Sequence, residues 1–81
     1  MRIAFSDQAI EGLREAPLPV RAAFNKQIRF LVSNLHHPSL RAKKYDERRD
    51  LWQARVNQNW RFYFTIVGDI YVIEDVIPHP K

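Results

Sequence analysis

The spacing of apolar residues changes period once along the chain, from helical to alternating. Val20, Phe24, Ile28, Leu31 and Leu35 recur at helical spacing, with Ala23 and Gln27 beside the seam. Arg21, Asn25, Lys26, Arg29 and Ser33 fall on the opposite side. This predicts an amphipathic helix that begins near Pro19, a residue suited to a first helical turn, and ends over Asn34 to Pro38. A shorter helix is expected from Gln8 to about Glu15, with Ala9, Ile10 and Leu13 as its stripe and Ser6 or Asp7 as its cap. Pro17 and Pro19 separate the two, so they read as a helical hairpin. Arg2 to Phe5 is a short strand candidate. From Leu51 onward the period is two, predicting strands over Leu51–Val56, Trp60–Val67 and Ile70–Ile77. Asn57-Gln58-Asn59 and Gly68-Asp69 are short enough to join them as an antiparallel meander. Leu40 to Asp50 has no period and reads as a loop. The expected fold is α+β in the order β-α-α-β-β-β, a helical hairpin on one face of a small twisted antiparallel sheet.

The first hairpin can be mapped residue by residue. With a three-residue loop at 57–59, Val56 lies opposite Trp60, Arg55 opposite Arg61, Ala54 opposite Phe62, Gln53 opposite Tyr63, and Trp52 opposite Phe64. Alternation places the Trp, Phe, Ala and Val members on the face that meets the helices. Arg55, Arg61, Gln53 and Tyr63 fall on the open face. Like charges directly across a strand pair destabilise a sheet. Two readings follow: an anion sits between the arginines, or each pairs with an acid such as Glu74, Asp75 or Asp50. The second hairpin leaves open which of Glu74 and Asp75 shares the open face, since a bulge would exchange them.

Composition narrows the chemistry. The 81 residues suit one domain, residues 1–81, with a thin stability margin. There is no cysteine, so disulfides and thiolate metal sites are excluded, as expected of a cytoplasmic protein. No apolar run resembles a signal peptide or a membrane span, so no membrane partner is expected. A net charge of +4 points to polyanionic partners. Arg41, Lys43, Lys44, Arg48 and Arg49 crowd the aperiodic segment and can reach phosphate at longer range. His36-His37-Pro38 reads as a polar helix exit, and neither a metal nor another cofactor is expected.

These ingredients suit RNA cleavage, which needs a base for the 2′-hydroxyl, cations for the phosphorane and an acid for the leaving oxygen. Arg55 and Arg61 can stabilise charge, and His79 or one of Glu74 and Asp75 can move protons. Tyr63 or Tyr71 can stack a base.

Several runs together resemble a known family. They are Phe5-(x)3-Ala9-(x)3-Leu13, the Leu18-Pro19 break with its long helix, Pro38-x-Leu40, Leu51-Trp52-Gln53-Ala54-Arg55-Val56, Trp60-Arg61-Phe62-Tyr63-Phe64, and a last strand leading to His79. This pattern resembles the RelE/ParE superfamily of type II toxin–antitoxin toxins over almost the whole chain. The resemblance implies two N-terminal helices on an antiparallel sheet. It implies a metal-independent endoribonuclease that cleaves messenger RNA at the ribosome and stops translation, neutralised by a cognate antitoxin. The ParE-like branch implies DNA gyrase inhibition instead, and a degenerate member would mainly bind an antitoxin. Carried onto this chain, the catalytic candidates are Arg61, Arg55 and His79. Lys43, Lys44, Arg41 and Tyr63 are the RNA-binding candidates. The chain departs from RelE in reading Gln53-Ala54-Arg55 where two lysines stand, and in having no tyrosine after the last strand. His79 is then the proton-transfer candidate.

Overall fold

A computed structural model describes residues 1–79. The chain runs β1 (Arg2–Phe5), α1 (Asp7–Glu15), α2 (Leu18–Ser33), β2 (Lys43–Asp46), β3 (Leu51–Arg55), β4 (Trp60–Val67) and β5 (Ile70–Pro78). The strands form one sheet in the order β1-β5-β4-β3-β2. The α+β architecture is as expected from the sequence, with two differences: a fifth strand, β2, and parallel pairing of β1 with β5.

The helix boundaries follow local chemistry. Ser6 Oγ accepts from the Ala9 amide at 3.0 Å and donates to the Glu74 carbonyl at 2.8 Å, so one hydroxyl caps α1 and ties it to β5. The Arg21 Nε donates to the Ala16 carbonyl at 3.0 Å across the Pro17 break, holding the two helices together. Ala9 and Ala16 of the first helical segment and Val20, Phe24, Gln27 and Leu31 of α2 are buried, whereas Ile10, expected on the α1 stripe, is exposed. Gly12 gives α1 its close seat: a Cβ there would lie 2.4 Å from the Val76 carbonyl oxygen.

The core lies between the helices and one face of the sheet. Phe62, Phe64, Ile73 and Val76 are fully buried. Phe24 meets Phe62 edge-on at 5.3 Å between ring centroids, and Trp52 stacks on Phe64 at 6.1 Å. Tyr71, a stacking candidate from the sequence, is instead a core residue set edge-on to Phe64 at 5.6 Å.

The first hairpin has the register expected of its three-residue loop, Arg55 opposite Arg61 and Gln53 opposite Tyr63. The second begins as expected, Val67 opposite Ile70, and then slips by one residue between Tyr63 and Phe64. Phe64 faces Ile73, but Tyr63 faces Asp75, so Glu74 is the extra residue of a bulge. The reason is the core: without the bulge, Asp75 would stand opposite Phe62 and be buried unpaired. The slip puts Val76 there and leaves both acids outside.

The segment Leu40–Asp50, read as a loop, contains β2. As an edge strand it pairs on one side only, and a bulge lies between Lys44 and Asp46, so no regular alternation marks it.

Candidate anion site on the open sheet face

β3 and β4 carry the centre of the site. Arg55 and Arg61 are cross-strand partners, and with Arg41, Lys43, Gln53 and His79 they line an open cavity of 230 Å³. Lys43 arrives because β2 pairs it with Gln53. His79 arrives because its amide donates to the Asn59 carbonyl at 2.7 Å, which holds the chain after β5 against the first hairpin. Five of the seven residues named from the sequence thus share one cavity: Arg41, Lys43, Arg55, Arg61 and His79.

The other two do not line it. Tyr63 lies beside it, its hydroxyl accepting from Gln53 Nε2 at 2.9 Å and its ring edge-on to Tyr45 at 5.0 Å. Lys44 stands apart from the cavity. β2 pairs it with Trp52, which places its ammonium over the indole ring, 5.1 Å from the centroid, and in an ion pair with Asp50. That hydrogen bond and the Asp50 charge raise the Lys44 pKa. Strand parity sends Lys43 and Lys44 to opposite faces.

The acids that might have neutralised the arginines are engaged elsewhere. Glu74 accepts from Thr65 Oγ1 at 3.0 Å. Asp75 accepts from Gln8 Nε2 at 2.9 Å and from the Val76 amide at 3.0 Å. Asp50 holds Lys44. Among the described residues, Arg41, Lys43, Arg55 and Arg61 have no carboxylate within ion-pair distance.

Each arginine is held differently. Arg61 Nη1 donates to the carbonyls of Asn57 at 2.7 Å, Trp60 at 3.0 Å and Gln58 at 3.3 Å. The loop's shape comes from Asn57, whose Oδ1 accepts from the amides of Asn59 and Trp60 at 2.8 and 2.9 Å. Burial, then the Arg55 charge, push the Arg61 guanidinium pKa down, with Arg41 adding to the effect. Arg55 has a buried Nε without a hydrogen-bond partner. Guanidinium forks match phosphate oxygens, so an uncompensated cation cluster of this kind can receive an anion.

Sequence reasoning missed Gln27 and Gln53 as site residues. Gln27 is 3% exposed and donates from Nε2 to the Ser39 carbonyl at 2.9 Å and the Arg55 carbonyl at 2.8 Å. The Arg55 amide donates to the Leu40 carbonyl at 2.7 Å. These three bonds bolt the segment before Arg41 to the strand that carries Arg55. Arg41 itself sits at φ 47, in the left-handed region, where a non-glycine residue is strained. A polar residue beside the α2 seam was the available signal for Gln27.

His37 is a helix-exit residue, stacked on Phe30 at 3.8 Å and accepting from the Ser39 amide at Nδ1. Among the described residues no three metal-ligating side chains cluster, and no helix is long and apolar enough to cross a membrane.

Between 95% and 99% of the chain superposes on chains of solved toxin and toxin–antitoxin structures. The YoeB/ParE toxin from Agrobacterium tumefaciens matches with a TM-score of 0.82 at 12% identity, covering 99% of this chain and 100% of that one. The fold is that of the RelE/ParE toxins. RelE from the archaeal RelE-RelB complex of Pyrococcus horikoshii matches with a TM-score of 0.78 at 17% identity, over 95% of this chain and 92% of that one. A chain of the heterotetrameric YoeB-YefM toxin-antitoxin complex from Staphylococcus aureus matches at 0.79 and 18%, over 99% and 98%. No protein-family model and no curated protein matches the sequence.

Proposed function

We propose that this chain is the toxin of a type II toxin–antitoxin pair and an endoribonuclease that cleaves messenger RNA at the ribosome. The observation that carries the proposal is the cavity that gathers Arg41, Lys43, Arg55, Arg61 and His79 on the open face with no acid in its lining. In the proposed reaction the 2′-oxygen attacks the adjacent phosphorus and the bond to the 5′-oxygen breaks, leaving a cyclic phosphate and a 5′-hydroxyl. Arg55 and Arg61 hold the non-bridging oxygens and gain strength as charge develops on the phosphorane. His79, the imidazole of the set, takes the 2′-hydroxyl proton or supplies one to the leaving oxygen. Lys43 and Arg41 hold flanking phosphate. No step calls for a metal.

The antitoxin partner is supported by the complexes in which RelE-like and YoeB-like folds of this shape have been solved. A net charge of +4 suits a partner that presents acidic groups.

The test is primer extension on cellular messages after induction, with Arg61→Ala and His79→Ala beside the parent chain. New message ends that vanish with Arg61→Ala are the expected result. Growth arrest without message cleavage, and with a DNA-damage response rising first, would replace this reading with gyrase inhibition.

A further inference from the structure

Arg41 and Arg55 form a ridge with a cavity on each side. One side is the 230 Å³ site already described. The other is a cleft of 450 Å³ between α2 and the β3–β4 loop, whose walls include Lys26, Gln27, Asn57 and Gln58 besides the two arginines. Its lining also contains no acid. Among the described residues Lys26 has no ion-pair partner. Two buried polar atoms in the walls of this cleft lack hydrogen-bond partners, Gln27 Oε1 and Arg55 Nε. Gln27 ties the two sides of the ridge together, donating to the Ser39 carbonyl just before Arg41 and to the Arg55 carbonyl.

We infer that this cleft is a second nucleotide subsite, taking the neighbour of the nucleotide whose phosphate lies on Arg55 and Arg61. It rests on the nucleic-acid reading above and deepens it. The next phosphate along the strand lies between Lys26 and Arg41, and the amides of Asn57 and Gln58 offer donors and acceptors to the sugar and base. Arg55 touches both nucleotides, so the protein holds a single strand of at least two phosphates and not an isolated anion. Single-stranded nucleic acid is favoured over an acidic peptide because both cavities are polar and share one cationic wall, the geometry of a charged groove that tracks a backbone. Neither cavity wall offers a large apolar anchor of the kind that dominates peptide docking.

The test uses the full chain and two probes, uridine monophosphate and a 2′-O-methyl pentauridylate that cannot be cleaved through its 2′-oxygen. Lys26→Gln changes an exposed helix residue and leaves the fold intact. It is expected to weaken pentauridylate binding about tenfold at low salt and to reduce the slope of log affinity against log salt by about 0.7, one phosphate contact of a single strand. Monophosphate affinity should stay within about twofold, as its phosphate stays on the Arg55–Arg61 side. An unchanged pentauridylate slope overturns the subsite while leaving the functional reading standing. Loss of neither probe in Arg61→Met overturns the functional reading and the subsite with it. A polyglutamate peptide that binds more tightly than pentauridylate, and loses that affinity in Lys26→Gln, assigns the cleft to an acidic protein segment and overturns the nucleotide.

Discussion

The two facing arginines should differ in sign when each is replaced by methionine. Arg55→Met keeps an unbranched apolar stem in a half-buried strand position. It removes one member of a like-charged cross-strand pair, and such pairs cost about 0.2–1 kcal/mol. It also removes a buried Nε that has no partner, a group whose kind costs roughly 1–3 kcal/mol when left unmade. The methionine that replaces it gives up the remaining guanidinium contacts with solvent, so the expected net gain is about 1 kcal/mol, the low end of these ranges. For a domain of this size, that raises the melting temperature by roughly 4–8 °C. Arg61→Met relieves the same repulsion but strips three carbonyls of their guanidinium donor. With hydrogen bonds to a charged group contributing about 1.5–3 kcal/mol in the best case, the balance turns to a loss of about 1 kcal/mol. The assay is urea and thermal unfolding at low ionic strength, repeated with 100 mM phosphate. A ligand at a hundred times its dissociation constant stabilises by about 2.7 kcal/mol, so phosphate should raise the parent chain and narrow its gap to Arg55→Met. Both variants should lose message cleavage. A less stable Arg55→Met at low salt would refute the claim that the pair is repulsive and uncompensated.

Other substitutions probe the scaffold of the site. Gly12→Ala would ordinarily favour a helix by about 1 kcal/mol, yet here the new methyl meets the Val76 carbonyl at 2.4 Å, so a loss of roughly 1–3 kcal/mol is expected in urea unfolding. Gln27→Met leaves the Ser39 and Arg55 carbonyls without their donor. It should cost about 1–2 kcal/mol and lower phosphate affinity at temperatures where the chain stays folded, an effect that disappears in an Arg41→Gln background. The Asp46 carboxyl is held below its ordinary range by the Arg49 side chain, so its contribution is present above the carboxylate range and is lost as pH falls through the lowered value. Asp46→Asn should therefore flatten the acid limb of a pH–stability curve below about pH 4 without moving the plateau shape near neutrality.

Much of the site was legible because its centre is a hairpin. A three-residue loop and period-two alternation are local, and together they put Arg55 beside Arg61 on the face away from Phe62 and Phe64. The last strand leads to His79, and its end pairs Pro78 with Trp60, next to Arg61. Lys43 and Lys44 could not be told apart until β2 was known to pair with β3, for their directions depend on a partner strand and not on their neighbours in the chain. Glu74 and Asp75 stayed ambiguous for a related reason: the bulge that places both outside the core answers the packing of Phe62 against Val76, a contact between strands.

By itself, then, the sequence determined the two helices, the three-strand meander, its open face and the arginine pair upon it, all consequences of side-chain period and turn length within a few residues. Tertiary structure decided what surrounds that pair. It set β1 parallel to β5, turned a featureless basic stretch into an edge strand, drew Glu74, Asp75 and Asp50 to other partners, and used the buried amide of Gln27 to lock Arg41 against Arg55. Those outcomes depend on which distant carbonyl, hydroxyl or charge comes within 3 Å, and only the packed fold brings such groups together.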